Sequence, residues 1–373
     1  MNGRQLLEAF PKSAISLLSG TGREFLRRTG EDAARQSVLA VLMGDNVRTQ
    51  TEFLTRSRIS QLNAAIVAQY ITACSANPDF ADNFFEIAKD ALSSKNRQHP
   101  AWLSAQWFLG LTGKSVQNVL RSDAENLAAY VMRLKEVLSD SAQQTIKMLG
   151  EHAFTLDSGT NHVQIDWEQM LRLTTAIGAQ TLSIRGSDKS MYGKLFERLV
   201  LGSVLTLLGF RMVADPEARS VNAPGTFWLS DNKKERETDA TAVLETGKIA
   251  LFDIGFIGAG NPEITKDKLS RFAAERGPDT ARMPPRTFII VDRIPDTSST
   301  QNAAKRLQVE IVQMSMKIWP LELARKLMAI GWESDLANKD DLNVSAWLKE
   351  RIVNIDILDF IGNIQVNTKV PEK

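Results

Sequence analysis

The chain has 373 residues, the length of about two domains, and its 45 lysines and arginines nearly balance 44 aspartates and glutamates, for a net charge of +1. That balance excludes a uniformly polybasic or acidic protein, so a nucleic-acid surface would have to be local; 43% hydrophobic and 24% charged residues exclude wholesale disorder. The single cysteine, Cys74, excludes a disulfide framework or a cysteine-based zinc site, three histidines (His99, His152, His162) leave little for another metal centre, and the lack of a long apolar run or a convincing signal peptide predicts a cytoplasmic protein.

Residues 1 to about 175 read as helical. Helix-period apolar spacing recurs in Ile59-Leu62-Ala65-Ile66-Tyr70 and in Leu127-Tyr130-Val131-Leu134-Val137, with breaks at Gly44-Asp45, Asn77-Pro78, His99-Pro100 and Ser158-Gly159. Within this region Gly110-Leu-Thr-Gly113-Lys114-Ser115 imitates a phosphate loop, but position 108 is Phe rather than Gly and the preceding segment is helical. A helix end with a solvated lysine accounts for it better.

The texture changes after about residue 180. A strong helix is predicted from about Ser190 to Leu208. Short β-rich runs follow at Thr226–Ser230, Thr238–Leu244, Ile249–Ile257, Thr287–Val291 and Val309–Met314. Between the third and fourth lies one helix, with Asn261 as its N-cap, Pro262 as its first residue and Gly277-Pro278 as its stop. From Trp319 helical spacing returns, with a weak strand-like run at Val353–Phe360. The expected fold class is therefore α/β. A helical region (1–175) precedes a core of mixed sheet flanked by helices (176–318) and a C-terminal extension (319–373).

Three elements of that core carry charged groups on faces that should be buried. The strand ending in Leu-Phe-Asp-Ile-Gly is almost continuously apolar, so an ionised Asp253 in it costs several kcal/mol unless paired or bound to a metal. A three-residue loop Glu245-Thr246-Gly247, with Leu244 opposite Lys248, places Asp239 across from Asp253 on one face. A two-residue Thr-Gly loop would place them on opposite faces. Two carboxylates that close call for a divalent cation, Mg²⁺ or Mn²⁺ by the chemistry of oxygen ligands. On the helix Ser190–Leu208, Glu197 falls inside the apolar arc of Tyr192, Phe196, Val200, Val204 and Leu208, whereas Lys194 and Arg198 fall outside it. On the helix after the hairpin, Lys268 sits within the arc of Ile264, Leu269, Phe272 and Ala273. Gly255 leaves space for that lysine beside the aspartates. Each group alone is usually a structural ion pair; together they point to a metal-dependent active site.

This order of elements and acids resembles the PD-(D/E)xK nucleases of type II restriction. Glu197 matches the helix acid, Thr238-Asp239 the proline-aspartate position, and Asp253-Ile254-Gly255 the acidic-x-lysine position. Threonine replaces proline, and Gly255 stands where the lysine should, so the resemblance makes Lys268 the displaced lysine and Lys248 a weaker candidate. The segments LTGKSVQNVLRSD, KSMYGKLFERLVLGSVLTLLGF and DIGFIGAGNPEITKDKLSRF are similar to the CfrBI-like branch of restriction enzymes, whose members recognise short palindromes of the CCWWGG type. The resemblance implies Mg²⁺ held by Asp239, Asp253 and the Ile254 carbonyl, with Lys268 acting on the water or phosphate and Glu197 serving a second ion. It also implies a double-stranded DNA substrate with a short palindromic site, a 5′-phosphate and 3′-hydroxyl product, a homodimer and a cognate DNA methyltransferase in the same system.

Phosphate contacts are sought in three basic clusters: Arg185, Lys189, Lys194 and Arg198; Arg23, Arg27 and Arg28; Arg48, Arg56 and Arg58. For each, a solvated helix face is the competing explanation. Two rival functions remain open: a non-catalytic DNA-binding module on a decayed nuclease fold, and a dinucleotide enzyme built on Gly258-Ala259-Gly260. The latter lacks its third glycine, since position 263 is Glu.

Overall fold

A computed structural model of the protein describes residues 3–93, 100–119, 124–159, 161–213, 223–230, 238–245, 248–256, 286–292, 309–362 and 365–367. The chain divides into two compact units. The first comprises Met1–Phe25, Thr55–Ser190 and Gln365–Lys373; the second comprises Leu26–Leu54 and Met191–Ile364.

The first unit is mainly helical, as the spacing predicts. In chain order the helices are α1 (Gly3–Leu7), α2 (Lys12–Leu18), α3 (Gly22–Thr29), α4 (Glu31–Leu42), α5 (Val47–Ala76), α6 (Phe80–Leu92), α7 (Pro100–Phe108), α8 (Gly113–Val119), α9 (Ala124–Leu149) and α10 (Trp167–Leu207). Of these, α4 and the ends of α3, α5 and α10 belong to the second unit. The core of the first unit is aromatic. Tyr70, Phe80 and Phe84 meet edge to face at 5.7–6.1 Å, the preferred geometry for ring quadrupoles. The phosphate-loop lookalike is a helix start: the Thr112 amide donates to the Ser115 hydroxyl at 2.6 Å, and the Ser115 amide donates back at 3.4 Å. Lys114 is exposed, preceded by helix α7 rather than a strand.

Four strands in the first unit were not anticipated. β2 (Phe154–Ser158) and β3 (Asn161–Ile165) form an antiparallel hairpin, and β1 (Ser19–Thr21) pairs with β10 (Gln365–Asn367) across the length of the chain. The Ser158-Gly159 break is the hairpin turn, with Gly159 at φ 62°. The helix expected from Ser190 is the end of α10, which runs from Trp167 through Gly178 and Gly186.

The second unit holds a mixed sheet, six-stranded among the described residues: β4 (Arg211–Met212), β5 (Thr226–Leu229), β6 (Ala240–Glu245), β7 (Lys248–Gly255), β8 (Arg286–Val291) and β9 (Val309–Gln313), lying in chain order. β5, β6 and β7 form an antiparallel meander, while β4 pairs with β5, and β8 with β7 and β9, in parallel. The helix expected between Asn261 and Gly277 lies outside the described residues. Helices α11 (Trp319–Met328) and α12 (Asp341–Ile352) follow. The strand expected at Val353–Phe360 is instead a 3₁₀ helix, Ile357–Ile361, started by Asp356, whose carboxylate accepts from the Leu358 amide at 3.0 Å. Leu26–Leu54 belongs to this unit because the Trp319 indole donates to the Val41 carbonyl (2.8 Å) and Arg35 to that of Ile352 (3.1 Å).

One packing site in this unit gives a direct test. Gly202 lies on α10 against Phe360, and a Cβ added there would overlap the ring. Gly202→Val is expected to destabilise the protein by about 1–3 kcal/mol through overpacking. The check is a lowered denaturant midpoint with an unchanged slope.

Candidate active site

Along β7 the two faces differ. Phe227, Ala242, Ala250, Phe252, Ile254, Phe288 and Ile290 line a fully buried face, where the Phe252 and Phe288 rings stack at 5.2 Å. On the other face of β7, Ile249, Leu251 and Asp253 are only half-buried. The expectation that Asp253 lies on a buried face is therefore met only in part. A carboxylate on a half-open face keeps part of its hydration, so it costs less than one in a dry interior.

The register between β6 and β7 differs at its start from the expected one. Glu245, not Leu244, pairs with Lys248. Continued unchanged, that register would put Asp239 and Asp253 on opposite faces. A bulge between Val243 and Glu245 takes up one residue. From there the pairs are Val243↔Ile249, Thr241↔Leu251 and Ala240↔Phe252, and the ladder ends one residue short of Asp239. Asp239 also reaches β7 itself, where its Oδ2 accepts from the Ile254 amide at 2.8 Å. One carboxylate is thus fixed to the main chain one residue past the other.

The remaining candidates fare differently. Glu197 is half-buried on α10. Among the described residues no three His, Cys, Asp or Glu side chains stand close enough to hold one metal ion, so Glu197 does not join the aspartate pair at shared-ion distance. Lys268 lies outside the described residues, as does Gly258-Ala259-Gly260. Lys248 is exposed and paired with Glu245 at 2.7 Å. It stands five residues from Asp253 along β7, about 17 Å at the rise of an extended strand.

Two arginines proposed for phosphate contact are buried instead. Arg58 is 1% exposed and pairs with Asp188 within the first unit. Arg198 is 9% exposed, and its Nε donates to the Phe360 carbonyl at 2.7 Å. The helix around it carries the signal that was missed. Leu195, Leu199, Val200, Leu201 and Leu205 are all fully buried, and a helix apolar on every side leaves no solvated face for an arginine. Arg23, Arg27, Arg56, Arg185 and Lys194 do not fall among the buried residues.

A mixed α/β sheet flanked by helices, with one aspartate of its central hairpin bonded to the strand that carries the other, has the character of a restriction endonuclease core. Comparison with known proteins narrows this. The family model described as CfrBI restriction endonuclease matches residues 31–299, a span that includes Glu197, Asp239, Asp253 and Lys268. The type II restriction enzyme CfrBI of Citrobacter freundii is 31% identical over 355 residues, covering 94% of this chain and 97% of that enzyme. No solved structure matches. The chain belongs to the CfrBI restriction endonuclease family and is a restriction endonuclease.

Proposed function

We propose that the protein is a Mg²⁺-dependent type II restriction endonuclease that cuts both strands of a short palindrome, leaving 5′-phosphate and 3′-hydroxyl ends. The observation that carries this is the aspartate pair, with Asp239 tied to the Ile254 amide beside Asp253. Its donors, two carboxylates and the Ile254 carbonyl, are hard oxygens, which suits Mg²⁺ better than a softer metal. When bound, Mg²⁺ supplies Lewis-acid polarisation of the scissile phosphate and makes water a better nucleophile. Asp239 and Asp253 hold and orient the ion. Lys268 orients the attacking water or steadies charge on the phosphate, and Glu197 serves a second ion or its water. Base readout and dimer contacts fall to the helical region, in the domain scheme of 1–175, 176–318 and 319–373. The enzyme works in the cytoplasm beside a methyltransferase that protects host copies of the site; no helix among the described residues is long and apolar enough to cross a membrane.

The test is incubation with plasmid DNA, with and without Mg²⁺, followed by mapping of the cut ends. Discrete fragments that appear only with Mg²⁺ and carry 5′-phosphates are expected. Site-specific binding without cutting would favour the non-catalytic module.

A palindrome presents the same chemistry on both strands, so a two-fold homodimer matches its symmetry. Exposed apolar side chains such as Met132 (62%) and Leu182 (64%) are available for burial. Sedimentation with cognate DNA is expected to show two chains per duplex. A stable one-chain complex that nicks a single strand per encounter would reject the dimer.

A further inference from the structure

We propose that Arg198 is a positioning residue for the aspartate pair, acting through the main chain of Ser230; this rests on the active-site reading above. A guanidinium inside an apolar helix has lost its water and needs acceptors. Arg198 finds two main-chain carbonyls, those of Phe360 (2.7 Å) and Ser230. The Phe360 end is fixed, because the 3₁₀ helix that carries it is buried at Ile357, Leu358 and Ile361. The Ser230 end leads to the site. Its amide donates to the Asp239 carbonyl at 3.0 Å, and its hydroxyl donates to that of Thr238.

Asp239 needs this support. The β5–β6 ladder ends at Leu229↔Ala240 and the β6–β7 ladder at Ala240↔Phe252, so Asp239 lies one residue beyond both. Its main chain is carried by Ser230, and Ser230 is carried by the guanidinium. The result is a continuous path from Phe360 through Arg198, Ser230 and Asp239 to the Ile254 amide. Hydrogen bonds from an ionised donor are stronger than neutral ones. Two acceptors on different segments suit the rigid fork of arginine rather than the single ammonium of lysine.

The experiment compares Arg198→Lys, Ser230→Ala and Asp239→Ala with the wild-type chain. Mn²⁺ affinity is read by electron paramagnetic resonance, single-turnover cleavage with Mn²⁺ gives the rate, and a metal-free gel shift gives DNA affinity. Partners that orient metal ligands typically contribute about 10- to 100-fold in metal affinity or rate. Arg198→Lys is expected to lose that much in both, with DNA affinity unchanged. Ser230→Ala, which keeps the carbonyl but loses the hydroxyl bond to Thr238, should lose less in the same direction. Wild-type Mn²⁺ affinity in either folded variant would overturn the proposal, as would DNA binding that falls in step with Mn²⁺ binding. Failure of both variants to fold would also overturn it, by reducing Arg198 to a structural fastening. Asp239→Ala separates the two readings. Wild-type Mn²⁺ affinity there rejects the active site itself, whereas loss there combined with a wild-type Arg198→Lys rejects only the positioning role.

Discussion

Asp253→Ala is expected to abolish Mg²⁺-dependent cleavage while sequence-specific DNA binding survives in a gel shift. Lewis-acid stabilisation by a bound metal is worth several kcal/mol, and about 4 kcal/mol corresponds to a loss of roughly 10³-fold in rate. Binding should persist because sequence is read by groups in the grooves and affinity is set largely at phosphates, neither of which needs a carboxylate on the sheet. Asp253 is only half-buried on β7, so the variant should still fold. A variant that cuts at the wild-type rate would sink the assignment of the metal ligands. One that neither folds nor binds would show that Asp253 supports structure instead.

The legible part of this site came from strand alternation and the missing part from segments that pattern cannot reach. All five strands expected after Ser190 are present within a few residues, because their β-branched and aromatic runs are bounded by turn residues. The expected pairing of Leu244 with Lys248 is replaced by Glu245 with Lys248, and a bulge at Leu244 restores the expected register from Val243 on. Bulges shift register by one residue and leave no fixed mark in sequence. At Ile355, Ile357, Leu358 and Phe360 the apolar spacing imitates a strand, but Asp356 caps a helical turn there. The β1–β10 pair joins residues more than 300 apart in number and has no local signal at all. Arg198 was misplaced because a wheel built on one apolar arc assumes that the opposite arc meets water. From Leu195 to Leu205 both arcs of α10 are covered, with only Glu197 half-buried.

Arg58 illustrates the same error with the larger energetic consequence, and it yields the last prediction. Its side chain and that of Asp188 are 1% and 2% exposed. Its Nε donates to the Leu17 carbonyl at 2.8 Å, and its Nη1 pairs with Asp188. Breaking a buried pair from one side leaves an uncompensated charge, so Arg58→Met is expected to destabilise the protein by about 3–5 kcal/mol near neutral pH. The loss should depend on pH. Burial lifts the Asp188 carboxyl from 3.8 to about 6, against the lowering effect of Arg58. Between those values the folded chain holds a proton that the unfolded chain has released, so this group's contribution to stability falls as pH rises through that window. Without Arg58 the carboxyl is held higher still, and it can escape the penalty only by taking a proton. Denaturant unfolding of Arg58→Met should therefore show a much smaller loss at about pH 5 than at about pH 8. The double variant Arg58→Met, Asp188→Leu should recover most of the stability at the higher pH, because both charges have gone and the volume is filled. Equal losses at the two pH values, or no recovery in the double variant, would mean that the Leu17 carbonyl and not Asp188 is what Arg58 is there to satisfy.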